Sequence, residues 1–280
     1  DLLRLGLAGT LRSFRFTTHT GEVKRGDAID YAGQPAGFAS QPGEVVNYVE
    51  NHDNQTLFDL NTFKLPRDTS TADRARVQVL GLALTAFSQG VAYFHAGVDI
   101  LRSKSGDRDS YDSGDWFNRI DWTYQDNGWG SGLPPEKTSA GFWPLLKPLL
   151  ADARIKPAPA DIAFTRDAFT DLLKIRASSS AFRLATAEDV QQRLTLLNTG
   201  PGQVPTLLLG HLDARGLAGG GFAELLYAIN AGTGASTVSL PTLRGRGLQL
   251  HPVHRATTAA DPRPLQDARW DATTGTLTVP

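Results

Sequence analysis

The chain has 280 residues, 40% hydrophobic and 20% charged, with a formal net charge of -1; this supports one large or two ordinary packed domains and argues against disorder. With no basic excess to hold a phosphate backbone, no nucleic-acid partner is expected, and with no apolar run near the roughly 20 residues of a bilayer span, no membrane span is expected. Cysteine is absent, which excludes disulfide frameworks, zinc thiolates and cysteine nucleophiles.

Residues 1–43, rich in glycine and polar residues, read as a long connection. Val45 to Val49 is a short apolar, β-branched run between Pro42-Gly43 and Asn51-His52-Asp53, the pattern of a buried parallel strand. Ser70 and Thr71 offer N-caps, and Asp73 suits the positive end of a helix that runs to about Ser88 with a stripe of Val77, Leu80, Leu84 and Phe87. Gln89-Gly90 ends it, and Val91 to His95 reads as a second buried strand. Strand, helix and strand in succession form the unit of a parallel α/β sheet.

A long polar segment follows from about Gly97 to Gly141, and loops of that length in a compact domain are usually functional. A second helix is expected over Asp161 to Ala177, with Ile162, Phe169, Leu172 and Leu173 facing inward. Beyond Phe182 the pattern changes to short strand-like runs: Leu194 to Leu197, Thr206 to Leu212, Ala223 to Ile229, Thr237 to Leu240, Leu248 to His251 and Thr276 to Val279. Their spacing predicts a small antiparallel sandwich. Gly219-Gly220-Gly221 is a turn, because no Gly-Lys-Ser/Thr follows it.

His52-Asp53 lies directly after the first predicted strand. In a parallel α/β barrel that is where catalytic groups sit, and a carboxylate beside an imidazole can reach sugar hydroxyls. Asn-His-Asp-Asn is equally good turn chemistry, and position alone leaves both readings open. The loop from Arg102 to Arg119 mixes both charge signs with Tyr111, Trp116 and Phe117. It supplies the aromatic platforms and polar groups that sugars need, or else a solvated loop pinned by ion pairs. Asp112 and Asp115 could hold calcium, although the spacing is not that of an EF-hand; no cofactor is required. His95 reads as a packed, hydrogen-bonded side chain. Nothing matches H-E-x-x-H, G-x-S-x-G or G-x-G-x-x-G.

The segment Val46-Asn47-Tyr48-Val49-Glu50-Asn51-His52-Asp53-Asn54-Gln55-Thr56-Leu57 resembles a signature of the α-amylase superfamily. Its last four residues are similar to the pullulanase and limit-dextrinase branch. So are Leu101-Arg102-Ser103-Lys104-Ser105 and the run from Arg108 to Asn118. The resemblance extends from about residue 5 to the end and is weakest after residue 200. It implies the C-terminal part of a (β/α)8 TIM barrel followed by an antiparallel β-sandwich, with residues 1–182 in the barrel and 183–280 in the sandwich. The two predicted strands would be barrel strands seven and eight, and the helix near Asp161 would close the barrel.

The implied activity is retaining hydrolysis of α-1,6 linkages in pullulan, amylopectin and limit dextrins, which needs a carboxylate nucleophile and a carboxylic acid. Asp53 matches the superfamily's third carboxylate, a transition-state stabiliser, and His52 its sugar-binding histidine. Arg108, Asp109 and Tyr111 are the further substrate-binding candidates. Glu22, Glu44 and Glu50 match neither the nucleophile nor the acid. Methionine is absent and the chain starts at Asp1, so an upstream part of the same polypeptide is expected to carry that pair, and this chain alone is expected to be inactive. The expected partner is an α-glucan, in a bacterial extracellular or periplasmic setting. The alternatives are another superfamily hydrolase, such as an isoamylase or oligo-α-1,6-glucosidase, and a non-catalytic glucan-binding module.

Overall fold

Ser70 opens the helix Thr71–Phe87 by a reciprocal cap. In this computed structural model, which describes residues 1–280, its Oγ accepts the Asp73 amide at 3.1 Å and donates to the Asp73 carboxylate at 2.7 Å. The stripe expected along Val77, Leu80 and Leu84 is only half buried; the deepest residues are Ala75, Gln78, Leu82 and Ala86. A polar Gln78 is tolerated inside because its Nε2 donates to the Val98 carbonyl at 2.9 Å.

The chain divides into two compact units, one of Asp1–Asn47, Leu84–Ala92 and Asp171–Pro280, the other of Tyr48–Ala83 and Tyr93–Thr170. In the first, residues 1–43 are more than a connection. They form the helix Leu2–Leu7, a hairpin of β1 (Arg15–Thr17) and β2 (Val23–Arg25), and a short pair of β3 (Asp30–Tyr31) and β4 (Gln34–Pro35). Leu5, Leu7, Leu11, Phe14 and Phe16 are buried there.

The expected strands near 45 and 91 are present but shortened to β5 (Val46–Asn47) and β6 (Val91–Ala92), paired in parallel with Val46 opposite Val91. These two valines are 53% and 47% exposed, not buried as expected, because their side chains stand out of the plane of a two-stranded sheet whose face there is left largely uncovered. Gly90 makes the turn into β6. Its φ of 98° is left-handed, and an added Cβ would lie 2.8 Å from the Pro42 carbonyl oxygen. Arg176 closes the end of the preceding helix: its guanidinium donates to the carbonyls of Ala86, Ser88 and Gly90 at 2.5, 3.1 and 3.2 Å. Burial lowers its pKa to about 10.

Two antiparallel sheets follow in the same unit. β7 (Leu194–Leu197), β8 (Leu207–Asp213) and β9 (Glu224–Asn230) pair in chain order. In the other, β12 (Thr276–Val279) is flanked by β10 (Ser236–Ser239) and β11 (Arg269–Asp271). One apolar cluster, centred on Leu207, Leu209, Leu240 and Leu243, also takes in Leu226, Val238, Trp270 and Leu277, so both sheets contribute to it. Leu248 to His251 forms no strand, and Pro252 starts a short helix directly after it. Its alternation over four residues mimics a strand; the actual strand carries Trp270, which packs on the cluster and donates to the Arg246 carbonyl at 2.8 Å.

In the sheet of β7, β8 and β9, Gly210 lies opposite Tyr227, whose ring is tilted against Phe87 at 5.3 Å between centroids. A Cβ on Gly210 would fall 2.1 Å from that ring. Gly210→Ala should therefore cost about 1–3 kcal/mol through overpacking, read as a lower midpoint in urea unfolding. An unchanged midpoint would show that the ring yields freely.

The second unit packs around Phe58, Ile100, Leu101, Trp129, Leu149, Ile155 and Ile162. Phe58 and Leu149 come from the helices Leu57–Lys64 and Trp143–Leu150, neither of which the sequence pattern announced. The expected helix over 161–177 runs Pro159–Ala177; Ile162 and Leu172 are buried as read, Phe169 is half buried and Leu173 is exposed. Most of 97–141 is irregular. The whole is a mixed α/β fold with several small sheets, and no helix is long and apolar enough to cross a membrane.

Candidate active site

His52, Asp53, Arg108, Asp109 and Tyr111 line one cleft of about 200 Å³ in the second unit, joined there by His95, Arg102 and Lys104. The side chains of His52 and Asp53 are open to solvent, with Nε2 and Oδ1 3.6 Å apart. Tyr111 is 87% exposed, which leaves a ring face free.

The backbone around Asp53 is fixed on both sides. The Asp53 amide donates to Asn51 Oδ1 at 2.8 Å, and the Asn54 amide donates to the Arg108 carbonyl at 3.1 Å. Asn54 has φ of 60°, a conformation asparagine tolerates better than most residues. The Arg108 guanidinium reaches back to Asn54 Oδ1 at 3.4 Å and lies 5.2 Å from the centre of the Phe142 ring. The two loops that carry the candidates are thus tied through their main chains.

Beneath them lies a layer of buried polar groups. Glu50 Oε2 accepts the Leu57 amide at 2.5 Å and Oε1 accepts from His95 Nδ1 at 2.8 Å. A carboxylate acceptor puts the proton on Nδ1 and leaves Nε2 as the other ring nitrogen of this cleft-lining side chain. Asp59, fully buried, accepts from Ser103 Oγ and from the amides of Lys104 and Gly106 at 2.9 and 3.1 Å. Burial raises its pKa to about 6, against the pull of those hydrogen bonds. Lys104 is 1% exposed, and its Nζ donates to the His52 carbonyl at 3.0 Å and to Ser110 Oγ at 2.9 Å.

The loop from Arg102 to Arg119 is held mainly through backbone carbonyls. Arg102 donates to those of Ala96 and Asn118, and Asn118 Nδ2 to those of Ser110 and Gly114. Trp116 is anchored by its indole N–H on the Ser131 carbonyl, with Arg119 5.4 Å from its ring centre. No group of three or more His, Asp or Glu side chains comes together in metal-binding fashion, around Asp112 and Asp115 or elsewhere.

The sequence reading assigned no role to Glu50, Asp59 or Lys104. Glu50 matched no catalytic glutamate, although it is the partner that makes His95 the packed, hydrogen-bonded residue expected. No local signal marked Lys104, because its burial comes from partners distant in sequence, such as the His52 carbonyl.

The family model described as alpha-1,6-glucosidases, pullulanase-type, C-terminal, matches residues 124–280, more than half the chain. Pullulanase 1, chloroplastic, from Arabidopsis thaliana is 41% identical over 99% of this chain, and pullulanase from Klebsiella pneumoniae is 37% identical over 100%. The crystal structure of apo pullulanase from Klebsiella pneumoniae superposes with a TM-score of 0.90 at 37% identity, over 100% of this chain and 30% of that one. A maltotriose complex of the Klebsiella enzyme gives 0.91. The chain spans 29% and 26% of the length of the Arabidopsis and Klebsiella relatives. On the strength of the family match and these relatives, the chain belongs to the pullulanase-type α-1,6-glucosidases of the α-amylase superfamily and corresponds to their C-terminal portion.

Proposed function

We propose that this chain forms one wall of the active site of a debranching enzyme that hydrolyses α-1,6-glucosidic linkages in pullulan, amylopectin and limit dextrins with retention of configuration. The observation that carries this reading is the convergence of His52 and Asp53, from one loop, with Arg108, Asp109 and Tyr111, from another, on a single cleft. Asp53 is the carboxylate that grips sugar hydroxyls as the ring flattens in the transition state. His52, Arg108 and Asp109 bind the sugar through hydrogen bonds, and Tyr111 offers a stacking face.

The nucleophile and acid come from an upstream part of the same polypeptide. Retaining hydrolysis needs two carboxyl groups about 5–5.5 Å apart across the scissile bond, and Glu50, the buried carboxylate nearest in sequence to Asp53, is engaged with His95 and the Leu57 amide. In this reading residues 1–182 are the C-terminal part of a (β/α)8 barrel, supported by the parallel pairing of β5 and β6. Residues 183–280 form a β-sandwich, supported by the apolar cluster that draws on both antiparallel sheets.

The test is an assay of reducing ends released from pullulan. The intact polypeptide that carries this chain should release them, and residues 1–280 alone should not. An intact polypeptide that binds pullulan without cleaving it would make this a glucan-binding module. Activity of the chain alone that disappears with Asp53→Asn would place the nucleophile within it and overturn the reading.

A further inference from the structure

We infer that Lys104 is a positioning residue for Asp53, acting through the main chain of His52; this rests on the role proposed for Asp53 above. The ammonium of a lysine is strongly hydrated and is rarely buried without a specific partner. Here the side chain is almost wholly enclosed, and two of its three donors go to the His52 carbonyl and Ser110 Oγ. One bond therefore lands on the residue before Asp53 and the other on the residue after Asp109. A single cation joins the two loops whose side chains line the cleft.

The base from which Lys104 reaches is itself held firmly. Asp59 grips the backbone amides of Lys104 and Gly106 and the hydroxyl of Ser103, and Ser103 Oγ in turn accepts the Ser105 amide at 2.8 Å. Asn127 holds the same segment from the other side, donating to the Leu101 carbonyl at 2.8 Å and accepting the Ser103 amide on its own carbonyl at 2.7 Å. Asp53 thus sits between two fixed points, His52 tied by Lys104 and Asn54 tied by Arg108. Its carboxylate has only the 3.6 Å approach to His52 to orient it, so its place is set by the backbone. Burial lowers the pKa of Lys104, and the charge of Asp59 offsets part of that effect.

The experiment uses the full-length enzyme and compares Lys104→Met, Asp53→Asn and the double variant on pullulan, with rates normalised to folded protein. A displacement of about 1 Å at the reacting centre can cost about a hundredfold in rate. Lys104→Met is therefore expected to lower kcat by about that factor, with KM little changed. Because Lys104 acts through Asp53, the double variant should be no slower than Asp53→Asn alone.

Asp53→Asn with wild-type turnover would sink the role of Asp53 itself. A slow Asp53→Asn beside a Lys104→Met of normal kcat, or losses that multiply in the double variant, would overturn the inference while leaving Asp53 its role. Should Lys104→Met not fold, Ser110→Ala serves instead, since it removes the second anchor of the ammonium. A severalfold lower kcat supports the inference, and wild-type kcat overturns it.

Discussion

Asp53→Asn, in the full-length enzyme, should lower kcat by about 10²–10³ and leave KM nearly unchanged. The magnitude is that of one preorganised polar group aimed at a developing charge. The neutral amide keeps the shape and the hydrogen bonds of the ground state but not the negative charge that an oxocarbenium-like transition state attracts. Such a loss falls on kcat, because the interaction strengthens only as the bond breaks. The local fold gives the substitution little else to disturb: the Asp53 side chain is exposed, and its backbone amide is held by Asn51. Steady-state kinetics on pullulan decide it, and turnover within a few-fold of wild type would remove Asp53 from the chemistry.

Arg176→Met should destabilise the fold by about 3–5 kcal/mol, because two buried carbonyls and a partly buried one lose their charged donor at once. The guanidinium serves Ala86, Ser88 and Gly90, the segment between the end of the helix Thr71–Phe87 and β6. Methionine fills most of the volume, so the missing hydrogen bonds dominate the cost over any cavity. Part of that cost is offset, since burial already disfavours the charge on Arg176 and lowers its pKa to about 10. Urea or thermal unfolding measures the loss. A variant as stable as wild type would show that water reaches those carbonyls.

What the sequence revealed followed the strength of local signals. The β-branched run at Val45 and the short apolar run at Val91, each next to turn residues, located both members of the parallel pair, and Ser70 with Asp73 marked a helix start. The helix Leu57–Lys64 escaped because its buried face carries Asp59 and Thr62 beside Phe58, and hydrophobic periodicity does not register polar residues satisfied from within. Leu248 to His251 misled for the opposite reason, alternating like a strand without a partner. The five cleft residues were legible through motif resemblance, since loop residues carry no periodicity of their own. The polar layer beneath them was not: a lysine or an aspartate in a loop ordinarily reads as solvated, and burial of Lys104 and Asp59 depends on contacts made across dozens of positions.

The interleaving of the two units has a consequence for synthesis. The first unit gathers residues from both ends of the chain and from the stretch Leu84–Ala92 in between. The bond from Arg4 to the Asn198 carbonyl joins residues 194 positions apart, and that from Gln89 to the Ala181 carbonyl joins residues 92 apart. At a ribosomal pace of about 5–20 residues per second, the N-terminal segment waits roughly 10–40 s for its partners to emerge. During that interval Leu5, Leu11 and Phe14, all buried in the finished protein, have no completed core to enter. Slower elongation lengthens that exposure in proportion, so the order of synthesis and the order of packing are coupled in this unit.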